Sequence, residues 1–96
     1  MDLNDMVKGV VYKSNGSVED RVFSKKNVTL KEMQEIVGGY IEFIYLRKDN
    51  LVMVVNEEGK ITGLPFNAKA TQLVKECNIN DIIVGDVLIV NQSLIK

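Results

Sequence analysis

Ninety-six residues suffice for one domain and leave no room for two. Hydrophobic residues make up 46%, charged residues 26%, and the net charge is −1. That balance excludes a disordered chain and lacks the surplus of lysine and arginine that a dedicated nucleic-acid binder uses against phosphates. There is no histidine and a single cysteine, Cys77. The commonest general base, the commonest metal ligand and an intramolecular disulfide are therefore all missing. No apolar run approaches the roughly 20 residues that span a bilayer. The start, MDLNDMVKGV, is acidic where a signal peptide is basic. The expectation is a cytoplasmic, non-enzymatic protein with no catalytic residue, metal or cofactor.

In chain order, Val7–Lys13 reads as a strand and Ser14-Asn15-Gly16-Ser17 as a hairpin turn. Asn-Gly accepts the positive φ of a type I′ turn. The return strand is Val18–Ser24. Thr29-Leu30-Lys31-Glu32 is a capping box, in which hydroxyl and carboxylate each satisfy a free amide. Val28 and Met33 sit where a hydrophobic staple would close it. Leu30, Met33, Ile36 and Val37 recur at helical spacing, and Gly38-Gly39 ends the helix by taking the left-handed cap.

Tyr40–Leu46 and Leu51–Asn56 read as a second pair of strands. The turn Asn56-Glu57-Glu58-Gly59-Lys60 is expected to place Gly59 at a bulge, with Ile61–Leu64 pairing back as a short strand. Pro65 ends that strand, and Asn67 is a natural N-cap for a helix over Ala68–Cys77. Ala70, Leu73, Val74 and Cys77 form its apolar side. Ile82–Val90, broken by Gly85-Asp86, is the last strand or two short ones.

Tyr40–Leu46, Leu51–Val55 and Val87–Val90 are apolar on both faces, as in strands at the middle of a sheet covered on both sides. Two short helices are expected to cover one face. The other face calls for the N-terminal hairpin or a curled sheet, with a homodimer interface as the alternative. The predicted fold is α+β: a mixed, mainly antiparallel sheet of five or six strands with two helices on one face.

Gln34, Gly38-Gly39 and Glu42, then Glu58-Gly59, Leu64-Pro65 and Asn67, then Gly85-Asp86-Val87, follow one another in fixed order. In that order residues 29–90 resemble a family of domains of unknown function common in bacteriophages and conjugative elements. The resemblance divides the single domain 1–96 into an N-terminal hairpin extension, 1–28, and a core, 29–90. It implies a small accessory factor, such as an inhibitor or sponge that counters host defence. The partner would be a host protein or a small nucleotide-like ligand. An acidic residue often stands in that family where this chain has Asn56, which weakens any metal or acid–base role at that turn.

A few residues remain as candidates for chemistry. Arg21, Lys25, Lys26 and Lys31 fall within eleven positions. They read as a solvated loop and helix start, or as phosphate contacts of a nucleic-acid-associated accessory factor, the alternative function. Glu57-Glu58 is explained by hairpin chemistry, since adjacent residues in a tight turn do not point together. Gly38-Gly39 follows a helix and so cannot cradle a phosphate on a helix N-terminus. Cys77 reads as a packed thiol. Glu42 is the only charge inside Tyr40–Leu46, so either its face opens to solvent or it meets a partner such as Gln34, Asn67 or a lysine. Asn67 caps a helix whose N-terminal amides suit an anion or a carbonyl. A small-ligand site is therefore sought between Glu42, Asn56 and Asn67.

Overall fold

The Asn15-Gly16 signal does make a hairpin, though of another type. In the computed structural model, which describes residues 7–24 and 26–95, β1 (Val7–Tyr12) and β2 (Val18–Phe23) pair antiparallel. Within the loop only Gly16 takes a positive φ, +94°. Its amide donates to the Lys13 carbonyl, and the Lys13 amide donates to Ser17. This is a type I turn closed by a glycine bulge in place of the expected type I′. Asn15 contributes through its side chain, which accepts the Ser17 amide at 2.9 Å.

The helix α1 (Leu30–Val37) starts at the predicted capping box. Thr29 Oγ1 accepts the Glu32 amide at 3.1 Å, and Glu32 Oε1 accepts the Thr29 amide at 2.9 Å. Gly38 caps its other end at φ +80°. A second hairpin joins β3 (Ile41–Tyr45) to β4 (Leu51–Asn56). Beyond it, Ile61–Leu64 is no strand. Residues 57–63 form successive turns in which the Thr62 amide donates to Glu58 and the Leu64 amide to Gly59. Bonds spent locally are not available to a ladder. Asn67 then caps α2 (Ala68–Glu76), and β5 (Val87–Asn91) closes the chain before a 3-10 turn over Gln92–Leu94. Of Ile82–Gly85, only Val84 contributes, through a single bridge to Phe66.

The class is α+β with five strands, in the order β2-β1-β5-β4-β3, and every neighbouring pair of strands is antiparallel. Among the described residues, the one parallel element is an isolated bridge between Val28 and Ile95. Two expectations about the layers are corrected. β3, apolar on both faces, is an edge strand. The helices take opposite faces, where one face had been expected. Met33 and Val37 of α1 pack with Val7, Val11, Val52, Val54, Leu88 and Val90. Ala70 and Val74 of α2 pack with Met53, Val55, Val87 and Ile89. The two sets alternate along β4 and β5, so one helix per face accounts for their two-sided burial. Each helix lies on its own connection: α1 between the outer strands β2 and β3, α2 between the neighbours β4 and β5.

The hairpin β1–β2 is part of this sheet, because β1 pairs with β5 as well as with β2. Coverage is uneven, however. A nine-residue helix is about 14 Å long, while five strands span about 19 Å from first to last. On the α2 side the hairpin is consequently left bare, with Val22 50% and Val18 46% exposed. Among the described residues, no helix is long and apolar enough to cross a membrane.

Candidate functional site

Asn67 is fully buried, and the reason lies in its neighbours. The segments Pro65–Asn67 and Ile83–Gly85 are zipped together, with the Asn67 amide donating to Ile83 at 2.8 Å and the Gly85 amide to Pro65 at 2.7 Å. Thr71 Oγ1 adds to the seam by accepting the Ile83 amide at 2.9 Å. Inside it, Asn67 Nδ2 donates to the Tyr12 carbonyl at 2.9 Å and to the Gly85 carbonyl at 2.8 Å, while Oδ1 accepts the Ala70 amide at 3.0 Å. Both amide protons are thus committed, and the oxygen holds the helix cap. Asn67 is a knot tying α2, β1 and the loop before β5.

Asn56 is half-buried and similarly occupied. Its Oδ1 accepts the Glu58 amide at 2.8 Å, and its Nδ2 donates to the Val37 carbonyl at 3.1 Å, joining the β4 turn to the last residue of α1. This contact also accounts for Gly39, where a Cβ would come within 2.9 Å of Asn56 Nδ2. Replacing Asn56 by Asp keeps the turn acceptor and leaves the Val37 carbonyl without its donor. We expect a loss of about 1–2 kcal/mol in urea unfolding, close to that of Asn56→Ala. If Asn56→Asp were neutral, the tie to Val37 would carry no weight.

Glu42 stands on the α2-side face of the edge strand, opposite Val55, and is exposed, which answers how its charge is tolerated. It lines a cleft of about 140 Å3 together with Asn56, Glu57, Lys60 and Asp81. Lys60 and Asp81 are themselves paired at 2.6 Å. The structure therefore brings Glu42 and Asn56 to one shallow cleft, and Asn67 is not among the residues that line it. Among the described residues, no three His, Cys, Asp or Glu side chains are grouped to hold a metal ion. Cys77 packs half-buried against the α2-side core.

The basic residues do not converge either. Arg21 lies on β2 and faces Glu19 at 3.8 Å, and the same carboxylate pairs with Lys13 at 3.1 Å. Lys26 and Lys31 are exposed in the loop and on the first turn of α1, and Lys25 lies outside the described residues. Arg21 and Lys13 line a groove of about 380 Å3 between α1 and the hairpin, but Glu32, Glu35 and Asp86 line it too. A phosphate entering there would meet more carboxylates than cations.

A larger recess than either of these is one that sequence reasoning missed. It runs over the bare α2-side face of the hairpin, about 660 Å3 in volume, with Val10, Val22, Leu51, Leu73 and Ile89 in its walls. A signal was present: every second residue of Val18–Val22 is apolar or Asp20, and strand alternation puts them on one face. What the pattern could not say is that α2 stops short of them.

A family model described as a domain of unknown function (DUF3846) matches residues 7–93. No curated protein and no solved structure matches the chain. Because the match starts at Val7, it takes in the β1–β2 hairpin, in agreement with the place of β1 inside the sheet. With all five strands and both helices inside the matched span, the chain belongs to the domain-of-unknown-function family DUF3846.

Proposed function

We propose that this domain is a non-enzymatic binding module that docks a protein on the open half of its sheet. The observation that carries the reading is the apolar groove beside β1 and β2, where Val10 and Val22 have no covering element and the half-buried Leu51 and Leu73 form the wall on the core side. Apolar surface of this kind is where association gains most from leaving water. A protein partner fits it better than a nucleotide-like ligand. Two cations, Lys8 and Arg21, line that groove, but Asp20 lies diagonally beside Lys8 and Glu19 pairs with Arg21, a poor match for phosphates. The phage or mobile-element setting, and a role in countering host defence by binding a host factor, rest on the sequence resemblance alone.

The test uses Val22, which is half-exposed, so that its replacement leaves the core intact. Val22→Glu is expected to shift stability by no more than about 0.5 kcal/mol and, in pull-down from host lysate, to lower at least tenfold the recovery of the protein that the wild type captures. Retention of the partner by a folded Val22→Glu protein would overturn the reading. A nucleic-acid role makes the opposite demand. Affinity for DNA or RNA should then fall steeply with salt and should respond to Arg21 and Lys31, with Val22 indifferent.

A further inference from the structure

The open face of the hairpin carries a pattern that specifies its occupant. The register sets Lys8 opposite Val22 and Val10 opposite Asp20, all four on the α2 side. Their Cβ atoms mark a rectangle about 5 Å across the strands and about 7 Å along them. The two charges occupy one diagonal and the two valines the other. Lys8, Asp20 and Val22 are exposed and Val10 is half-buried. Among the described residues, neither Lys8 nor Asp20 joins an ion pair.

A twofold axis laid along the Val10–Val22 diagonal carries each end of the other diagonal to within about 3 Å, in projection, of the opposite end. It brings Lys8 of one copy close enough for its long side chain to reach Asp20 of the next, and the reverse, while each valine meets its own mate. We propose that the occupant of this face is a second copy of the chain, docked about that axis. The proposal rests on the reading of this face as a protein-docking surface, and names the partner.

Charge is what favours a copy over a foreign protein. An isologous interface must be complementary to itself, and a patch of one sign would repel its own image. By register this face carries one cation and one anion, Lys8 and Asp20, set so that a single rotation pairs both, while Arg21, which also lines the groove, is paired with Glu19 of its own chain. The valines on the axis supply the apolar contact that the paired charges orient. The diagonal lies at roughly 35–40° to the strands, so rotation about it crosses the two hairpins at roughly 70–80°, near the orthogonal mode of sheet packing. The hairpin face is about 20 Å by 10 Å, so even with the groove walls the interface stays at the small end of specific contacts. The dimer is therefore weak and read at high protein concentration.

The experiment is sedimentation of the full chain up to millimolar concentration, with Lys8→Asp, Asp20→Lys, the double exchange, and an equimolar mixture of the two single variants. We expect the wild type to form a dimer and each single variant to associate at least tenfold more weakly, because like charges then face across the axis. The mixture should recover a one-to-one dimer, since one chain carries two carboxylates on the diagonal and the other two ammonium groups. The double exchange should dimerise as the wild type does. A charge pair confined within one chain cannot produce recovery on mixing. A monomeric wild type at millimolar concentration overturns the proposal, as does a dimer indifferent to these exchanges or a mixture that stays monomeric. The broader reading fails separately, when a folded Val22→Glu protein keeps its captured partner.

Discussion

Asn67→Ala is expected to destabilise the fold by about 3–5 kcal/mol, a large share of the roughly 5–14 kcal/mol available to a domain of this length. The loss has three parts. The Ala70 amide gives up its cap, worth about 1 kcal/mol. The Gly85 carbonyl, in a fully buried hydrogen bond, and the Tyr12 carbonyl, in a partly buried one, each lose their donor, at about 1–2 kcal/mol apiece. Asn67→Asp is the sharper variant. By cap preference alone aspartate is as good as asparagine at this position, so a purely local role predicts no loss. Here the carboxylate would turn an acceptor toward two carbonyl oxygens, and we expect it to be at least as damaging as Ala. Urea unfolding of both variants decides the matter. If Asn67→Asp proved as stable as the wild type, the two donated bonds would carry no weight and the side chain would be free for a ligand.

The contrast between those two variants also marks what local pattern can convey. That Asn67 caps a helix is written in the residues around it, as is the Thr29–Glu32 capping box, because both are satisfied within a few positions. That Asn67 also holds Tyr12, 55 residues away, is not written there. Apolar runs on both faces of Leu51–Val55 and Val87–Val90 correctly imply cover on two sides. They do not say which helix goes where, since Met33 and Val74 are equally acceptable neighbours for valine. Tyr40–Leu46 reads as central for the same reason. Ile41 and Phe43 do meet the α1-side core and Ile44 the α2-side core, but an edge is defined by unpaired backbone groups, on which side chains are silent. The bare face of the hairpin was illegible for a further reason, because it depends on the reach of α2 across the sheet, a tertiary length.

Gly9→Val runs against what strand preference suggests, and is expected to cost about 3 kcal/mol. Valine favours strands and glycine weakens them, so an interior position of β1 would ordinarily gain from the change. Gly9 stands between Val7 and Val11 on the α1 side, and the β1–β5 register extends to set it opposite Val90. A Cβ there would lie 2.6 Å from Val90 Cγ1, 3.0 Å from Leu88 Cδ1 and 3.1 Å from the Ile89 carbonyl oxygen. Leu88 can rotate its terminal methyl aside, whereas the Ile89 oxygen belongs to the central strand and cannot. Val90, 2% exposed, already fills the space that a side chain at position 9 would need, so the added methyls force β1 away from β5. The smaller Gly9→Ala should cost about 1–2 kcal/mol and Val90→Ala about 2–3 kcal/mol. Together they should cost at least 1 kcal/mol less than their sum, since the new methyl enters the volume that Val90 vacates. Strict additivity in urea unfolding would show that Val90 does not occupy that space. The coupling, if found, identifies Gly9 as the residue that lets β5 come close enough to join the hairpin to the rest of the sheet.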